Sequence, residues 1–533
     1  MRLRNTSPSR RSIAIATAGA LVAASVTVGV MLTAAPALAA GTGSGYLHTN
    51  GNKIVDATGT TVRLTGLNWF GMETDNRTFH GLWANAPATW RGQIDRMASL
   101  GFNTIRVPYS GEALRSGATA TSVNTFTNPD LVGLSPLQIL DNVINYAGSK
   151  GMRIILDRHR PTSAGQTALW YTPTVSEASI ISDWQLLAQR YANNPTVIGA
   201  DLFNEPHAEG TDPNGTGACW GCGVQSRDWR LAAERIGNAI LQTNANWLIF
   251  VEGVSCNSGG TANQWDNIPD PWQDCDWWGG NLSQAIANPV RLNVANRLVY
   301  SAHDYGISVF DRQVWFNDPN FPNNLPSVWD HFWGNIVKQN VAPVLVGEFG
   351  STLANPLDVQ WLTTLVNYLT TNGISFTYWS WNPNSGDTGG IALDDWYSIN
   401  QQKYNILQPA LVPPVGGTST TTTGGTVTTT TTQNTGTCSA TYAVVNQYPG
   451  GFQGEVTVKA GTSGTPSWTV KWTFANGQTI SQLWNGNLTT SGSSVTVKNM
   501  SYNAPLAANA TTTFGFNGTW NTTNAVPALT CGP

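Results

Sequence analysis

Eight short apolar runs recur between residues 62 and 381, and most of them close on a polar side chain. They lie at 62–70, 104–109, 153–158, 197–203, 247–252, 298–303, 344–347 and 376–381. Helix-period segments fill most of the gaps, at 90–100, 136–149, 177–192, 228–243, 328–339 and 359–371. Ser135-Pro136 is a helix start signal and Asn193-Asn-Pro195 a stop signal. The helix that should follow the fifth run is the least legible. Strand and helix in regular alternation predict an α/β fold with a parallel sheet, and eight such units within residues 41–411 suit a (β/α)8 barrel with insertions. A doubly wound open sheet is the alternative. It would need a phosphate-binding glycine loop after the first strand, and Gly66-Leu-Asn-Trp-Phe-Gly71 lacks that spacing.

In a barrel of this kind, side chains at the C-terminal ends of the strands face the functional mouth. The second run delivers Arg106, the third His159, and the fourth Asn204 and Glu205. The sixth delivers His303 and Tyr305, the seventh Glu348, and the eighth Trp381. A charge at the end of a buried strand is costly unless it is paired, so packing is a poor explanation for this set. Two carboxyls at one mouth, Glu205 and Glu348, are the minimum apparatus for cutting a glycosidic bond. Arg106 and the Tyr305 hydroxyl are candidate donors to an ionised Glu348. Asp157, Asp201, Glu252 and Asp304 read as supporting groups. His159, His303 and Asp304 lack tight ligand spacing, so neither a metal nor a cofactor is expected.

Composition narrows the ligand. Charged residues are 11% of the 533, and there are 23 tryptophans. That excludes a basic nucleic-acid surface and a disordered chain, and it suits an uncharged, extended polysaccharide. The N-terminus carries Arg2, Arg4, Arg10 and Arg11, then an apolar stretch and Ala37-Leu-Ala39. Residues 1–40 therefore read as a signal peptide, and the protein is expected to be secreted, extracellular and monomeric. No later run is long and apolar enough to span a membrane. Six cysteines suit an oxidising compartment and are expected to pair as Cys219–Cys222, Cys256–Cys275 and Cys438–Cys531, one of several possible connectivities. Residues 412–437 are rich in Thr, Gly and Pro and read as a linker. Beyond it, 438–533 alternates in short runs such as Trp468-Thr-Val-Lys-Trp-Thr-Phe474, the pattern of a small antiparallel β-sandwich. Trp468 and Trp472 read as its core.

The motifs IRVPYS, LDRHRP, FNEP, SAHDY, VGEFG and YWSWNP, in that order, resemble glycoside hydrolase family 5, in particular secreted actinobacterial endo-1,4-β-glucanases. The resemblance implies a retaining cellulase with Glu205 as general acid/base and Glu348 as nucleophile. It further implies that Asn204 holds the sugar 2-hydroxyl, that Trp381 floors the reacting subsite, and that Trp83 and Trp278 stack on sugars. His159 and His303 would contact substrate or line its wall. Where such relatives often carry cysteines, this chain has Asp75 and Ser163. The C-terminal region resembles carbohydrate-binding module family 2, which implies an aromatic strip of Tyr448, Trp484 and Tyr502 for cellulose. Cellulose and soluble β-1,4-glucans are thus the expected partners, with neither nucleic acid nor membrane. A β-mannanase or xylanase on the same barrel, or a non-catalytic polysaccharide-binding protein, are the alternatives.

Overall fold

The computed structural model describes residues 41–210, 214–260, 277–414 and 433–533, except 435–436, 449–450, 501–502 and 521–522. Two compact units divide the chain, residues 1–417 and 418–533.

In the first unit, the apolar runs form eight parallel strands that close into a barrel. In chain order they are Thr65–Asn68, Thr104–Ser110, Arg153–Arg160, Val197–Asp201, Leu248–Glu252, Leu298–Tyr305, Val344–Gly350 and Ser375–Tyr378. The eighth strand pairs with both the first and the seventh, which closes the circle. Nearly every strand residue is buried, as expected where helices cover the outside and side chains fill the inside. The outer helices start where the sequence provides side-chain caps. Ser135 and Gln138 form a reciprocal capping box before Pro136–Ser149. Thr89, Ser176, Asp228 and Asn355 cap Trp90–Ser99, Glu177–Arg190, Trp229–Thr243 and Pro356–Thr371. The expected helix at 328–339 begins a turn earlier, as the contiguous segments Leu325–Trp329, Asp330–Gly334 and Asn335–Lys338.

Two expectations are corrected. The run at 62–70 is not one strand. Thr61–Val62 pairs with Lys53–Val55 and His48–Asn50 in a separate antiparallel sheet, and only Thr65–Asn68 enters the barrel. The eighth strand stops at Tyr378 rather than 381. The segment after the fifth strand includes residues 261–276, so the helix expected there lies in part outside the described residues.

The second unit is a sandwich of a five-stranded and a four-stranded sheet. Tyr442, Phe452, Trp468, Trp472, Phe514 and Phe516 fill it, with Trp468 0% and Trp472 4% exposed. Cys438–Cys531 bridges Cys438–Tyr448 to the last strand, Thr530–Gly532, and Cys219–Cys222 closes a small loop in the barrel unit. The expected Cys256–Cys275 bridge lies outside the described residues at Cys275. No helix among the described residues is long and apolar enough to cross a membrane.

Candidate active site

Arg106, fully buried on the second barrel strand, organises the mouth. Its Nε donates to Asp201 Oδ2 at 2.8 Å and its Nη2 to Glu252 Oε1 at 2.9 Å and Asn204 Oδ1 at 3.0 Å. Nη1 donates to Glu348 Oε1 at 2.6 Å and Asn68 Oδ1 at 3.0 Å, and lies 3.1 Å from Asp157 Oδ2. Burial works against the cation, but Asp157, Asp201, Glu348 and Glu252 hold its pKa well above the usual arginine value. Burial pushes the Asp157 carboxyl up to about 7 and Asp201 well above the ordinary range, against the pull of Arg106.

Glu348 and Glu205 face each other across this cluster. One oxygen of each, with a ring nitrogen of His303, falls in a set whose members are all within 4.8 Å of one another. Glu348 takes its second hydrogen bond from the Tyr305 hydroxyl at 2.6 Å. His303 Nδ1 is 3.0 Å from Glu205 Oε1 and 3.7 Å from Glu348 Oε2. Burial opposes a charge on His303, but Glu252 and Glu348 outweigh it and raise the imidazole well above its ordinary value. His303 Nε2 lies 3.3 Å from Glu252 Oε1, close enough for charge attraction but without hydrogen-bond alignment. Glu205 sits just past its strand with φ 51°, a left-handed backbone unusual for a side chain of this size. Two bonds fix it there: its N–H donates to Glu252 Oε2 at 2.7 Å, and its carbonyl accepts from His207 Nδ1 at 2.8 Å.

The cleft above this pair has a volume of about 680 Å³. His159, Tyr305 and Trp278 line it with the two glutamates. His159 donates Nδ1 to Asp157 Oδ2 at 2.7 Å, and burial lowers its pKa to about 3, so the ring is neutral. Asn204 is buried beside Arg106, which fixes its amide orientation. Trp278 is 37% exposed and stacks on His207 at 3.7 Å and 6°. Trp83, 38% exposed, lies outside the cleft lining, against His80 and Trp396.

Trp381 does not floor the cleft. It is 0% exposed, and its indole N–H donates to the buried Gln93 Oε1 at 2.9 Å. Because the eighth strand ends at Tyr378, the ring that reaches the cleft is Trp379, stacked on Phe70 at 5.2 Å and on His159 at 5.4 Å. The signal for it was already present, since Trp379 is the first residue after the strand. Glu73 also escaped notice. Its carboxyl lines the cleft, accepts the Gly71 N–H at 2.7 Å, and is pushed up to about 7 by burial. The positions that could have carried a cysteine pair meet here through Ser163 Oγ donating to Asp75 Oδ1 at 2.6 Å.

Three groups of acids and histidines at the mouth bring ligand atoms within 4.8 Å of one another. In the group Asp157, Asp201 and Glu252 the positive charge is supplied by Arg106, which contacts all three. The Tyr448 and Trp484 side chains, and Tyr502, lie outside the described residues.

Comparison with known proteins agrees with this geometry. Residues 55–385 match the cellulase family, glycosyl hydrolase family 5, and residues 438–531 match a cellulose binding domain. An endoglucanase of Paenibacillus polymyxa is 52% identical over 374 residues, covering 70% of this chain and 88% of that one. The major extracellular endoglucanase of Xanthomonas campestris is 42% identical over 499 residues, covering 91% and 97%. An endocellulase of Pyrococcus horikoshii, solved as a complex with cellotetraose, superimposes with TM-score 0.64 at 40% identity, covering 69% of this chain and 98% of that one. The chain belongs to glycosyl hydrolase family 5, the cellulases, and carries a cellulose binding domain at residues 438–531.

Proposed function

We propose that this protein is an endo-1,4-β-glucanase that hydrolyses β-1,4-glucosidic bonds of cellulose with retention, with Glu348 as nucleophile and Glu205 as general acid/base. The observation that carries the reading is the Glu205–Glu348 pair at the barrel mouth, with oxygens within 4.8 Å of each other. That approach favours direct attack, for which carboxyls stand ~5–5.5 Å apart, over the wider gap that admits a water between acid and base. Arg106 and Tyr305 each donate to one oxygen of Glu348, which aims the carboxyl group. Glu348 attacks the anomeric carbon while Glu205 gives its proton to the departing oxygen. Glu205 then takes a proton from water, whose oxygen displaces Glu348 and restores both groups. His303 bridges the two acids and balances whichever one is charged at each stage.

The flanking regions fit the same reading. A leader at 1–40, a catalytic domain at 41–411, a linker at 412–437 and a cellulose-binding module at 438–533 would place a monomeric enzyme outside the cell. A tether of this kind raises the local substrate concentration without adding to the chemistry. The extracellular Xanthomonas relative supports that location. Tyr448, Trp484 and Tyr502 are proposed as the module's cellulose-binding face.

The test is Glu348→Ala. Turnover of carboxymethylcellulose should fall by at least about 10⁴-fold while cellotetraose still binds, and the wild-type product should appear first as the β-anomer by NMR. An initial α-anomer would sink the retaining assignment. Faster cleavage of galactomannan or xylan than of carboxymethylcellulose would move the protein to another backbone specificity.

A further inference from the structure

Phe126 is 95% exposed. A bare phenyl ring in water is unfavourable, and nothing in the cleft explains it. Its loop is firmly fastened. Asn124 Oδ1 accepts the Phe126 and Thr127 N–H groups at 2.9 and 3.1 Å, and Asn124 Nδ2 donates to the Trp83 carbonyl at 3.3 Å. Asn128 completes the clasp, donating Nδ2 to the Leu82 carbonyl at 2.8 Å and accepting the Trp90 N–H at 2.9 Å. The loop is thus tied to the segment that carries Trp83.

Trp83 in turn connects to the cleft. Its ring is 5.1 Å from His80, and His80 is 5.3 Å from Phe70 and 3.0 Å from Asn384 Nδ2, two residues of the cleft wall. A chain of ring contacts therefore runs outward from Phe70 through His80 to Trp83, whose main-chain carbonyl is tied to the loop of Phe126. Residues 116–129 carry no charge and are rich in Thr, Ser and Asn. One ring among hydroxyls and amides is too small an apolar area for a stable protein interface. It suits a neutral polyol with C–H faces, which can stack on the ring and hydrogen-bond around it.

We propose that Phe126 is a distal stacking contact for a β-1,4-glucan chain that leaves the cleft over Trp83, a site used only by substrates longer than the cleft. The proposal rests on the glucanase reading above, which wild-type turnover of cellotetraose tests separately. In the full-length protein, Phe126→Ala should raise KM for hydroxyethylcellulose roughly fivefold, the loss of about one ring contact, while kcat and all cellotetraose kinetics stay at wild type. Phe126→Trp should restore or lower that KM. Affinity electrophoresis in hydroxyethylcellulose gels reads the same contact without turnover, with Phe126→Ala less retarded than wild type. Equal KM and equal retardation for Phe126→Ala and wild type overturn the proposal. So does a change shared in full by cellotetraose.

Discussion

The two ends of the barrel interior are built from opposite chemistry. At the N-terminal end, Leu64, Ile155, Ile198, Leu248, Phe250, Val299 and Leu345 pack together, sealed by Ile54 and Val62 of the small sheet and by Leu47 just before it. A short step along the same strands the lining becomes polar. Phe250 is followed two residues on by Glu252, Ile155 by Asp157, and Val299 four residues on by His303. Each buried Leu or Phe at the closed end contributes about 1.5–3 kcal/mol. Each buried ion at the mouth costs several kcal/mol unless its partners are in place. The closed end stabilises the strands strongly enough for their other ends to hold a destabilising but chemically useful cluster.

The largest disturbance should come from removing the mouth's central cation. Arg106→Met leaves Glu348, Glu252, Asp157 and Asp201 without their shared partner and should cost about 3–5 kcal/mol in urea unfolding. A variant within about 1 kcal/mol of wild type would mean that the guanidinium contributes little net stability at the mouth. At the closed end, Leu345→Ala should cost about 2–5 kcal/mol through lost burial and a cavity, yet leave kcat per folded molecule unchanged. A fall in kcat to match would erase the division between the two ends.

The smallest effect is one of pH. Burial pushes Asp304 up to about 7, so the folded protein keeps that proton where the unfolded chain has lost it. Its contribution is therefore present below the ordinary carboxylate range and declines as pH rises from about 4 toward 7. Asp304→Asn, which can still accept the Trp361 N–H that Asp304 Oδ1 takes at 2.8 Å, should lack that decline. Between pH 4.5 and 7.5 the variant should gain on the order of 1–3 kcal/mol relative to wild type. Parallel stability curves would show that Asp304 is ionised throughout.

The same contrast explains what could be read from the sequence. Strands buried on both faces are apolar throughout, so a charge such as Arg106 inside one is conspicuous, and so are Glu205 and Glu348 at strand ends. What each of these residues touches depends on strands brought together from distant parts of the chain. The convergence of Asp157, Asp201 and Glu252 on one guanidinium was for that reason not legible. The Trp379 and Trp381 exchange has a local cause. Where a strand ends decides which of two nearby rings enters the cleft, and composition is blind to an end point shifted by three residues. The small sheet made by Thr61–Val62 was missed because strand propensity does not name a strand's partner. Glu73 and Phe126 lie in loops, where periodicity carries no signal.

Glu205 occupies a left-handed backbone position that glycine or asparagine would adopt with less strain. Selection for heat tolerance alone would therefore drift this position away from glutamate, and selection for turnover alone would return it. Laboratory evolution of this enzyme toward higher working temperatures should gain its improvements elsewhere, with residue 205 as the point where the two pressures oppose each other.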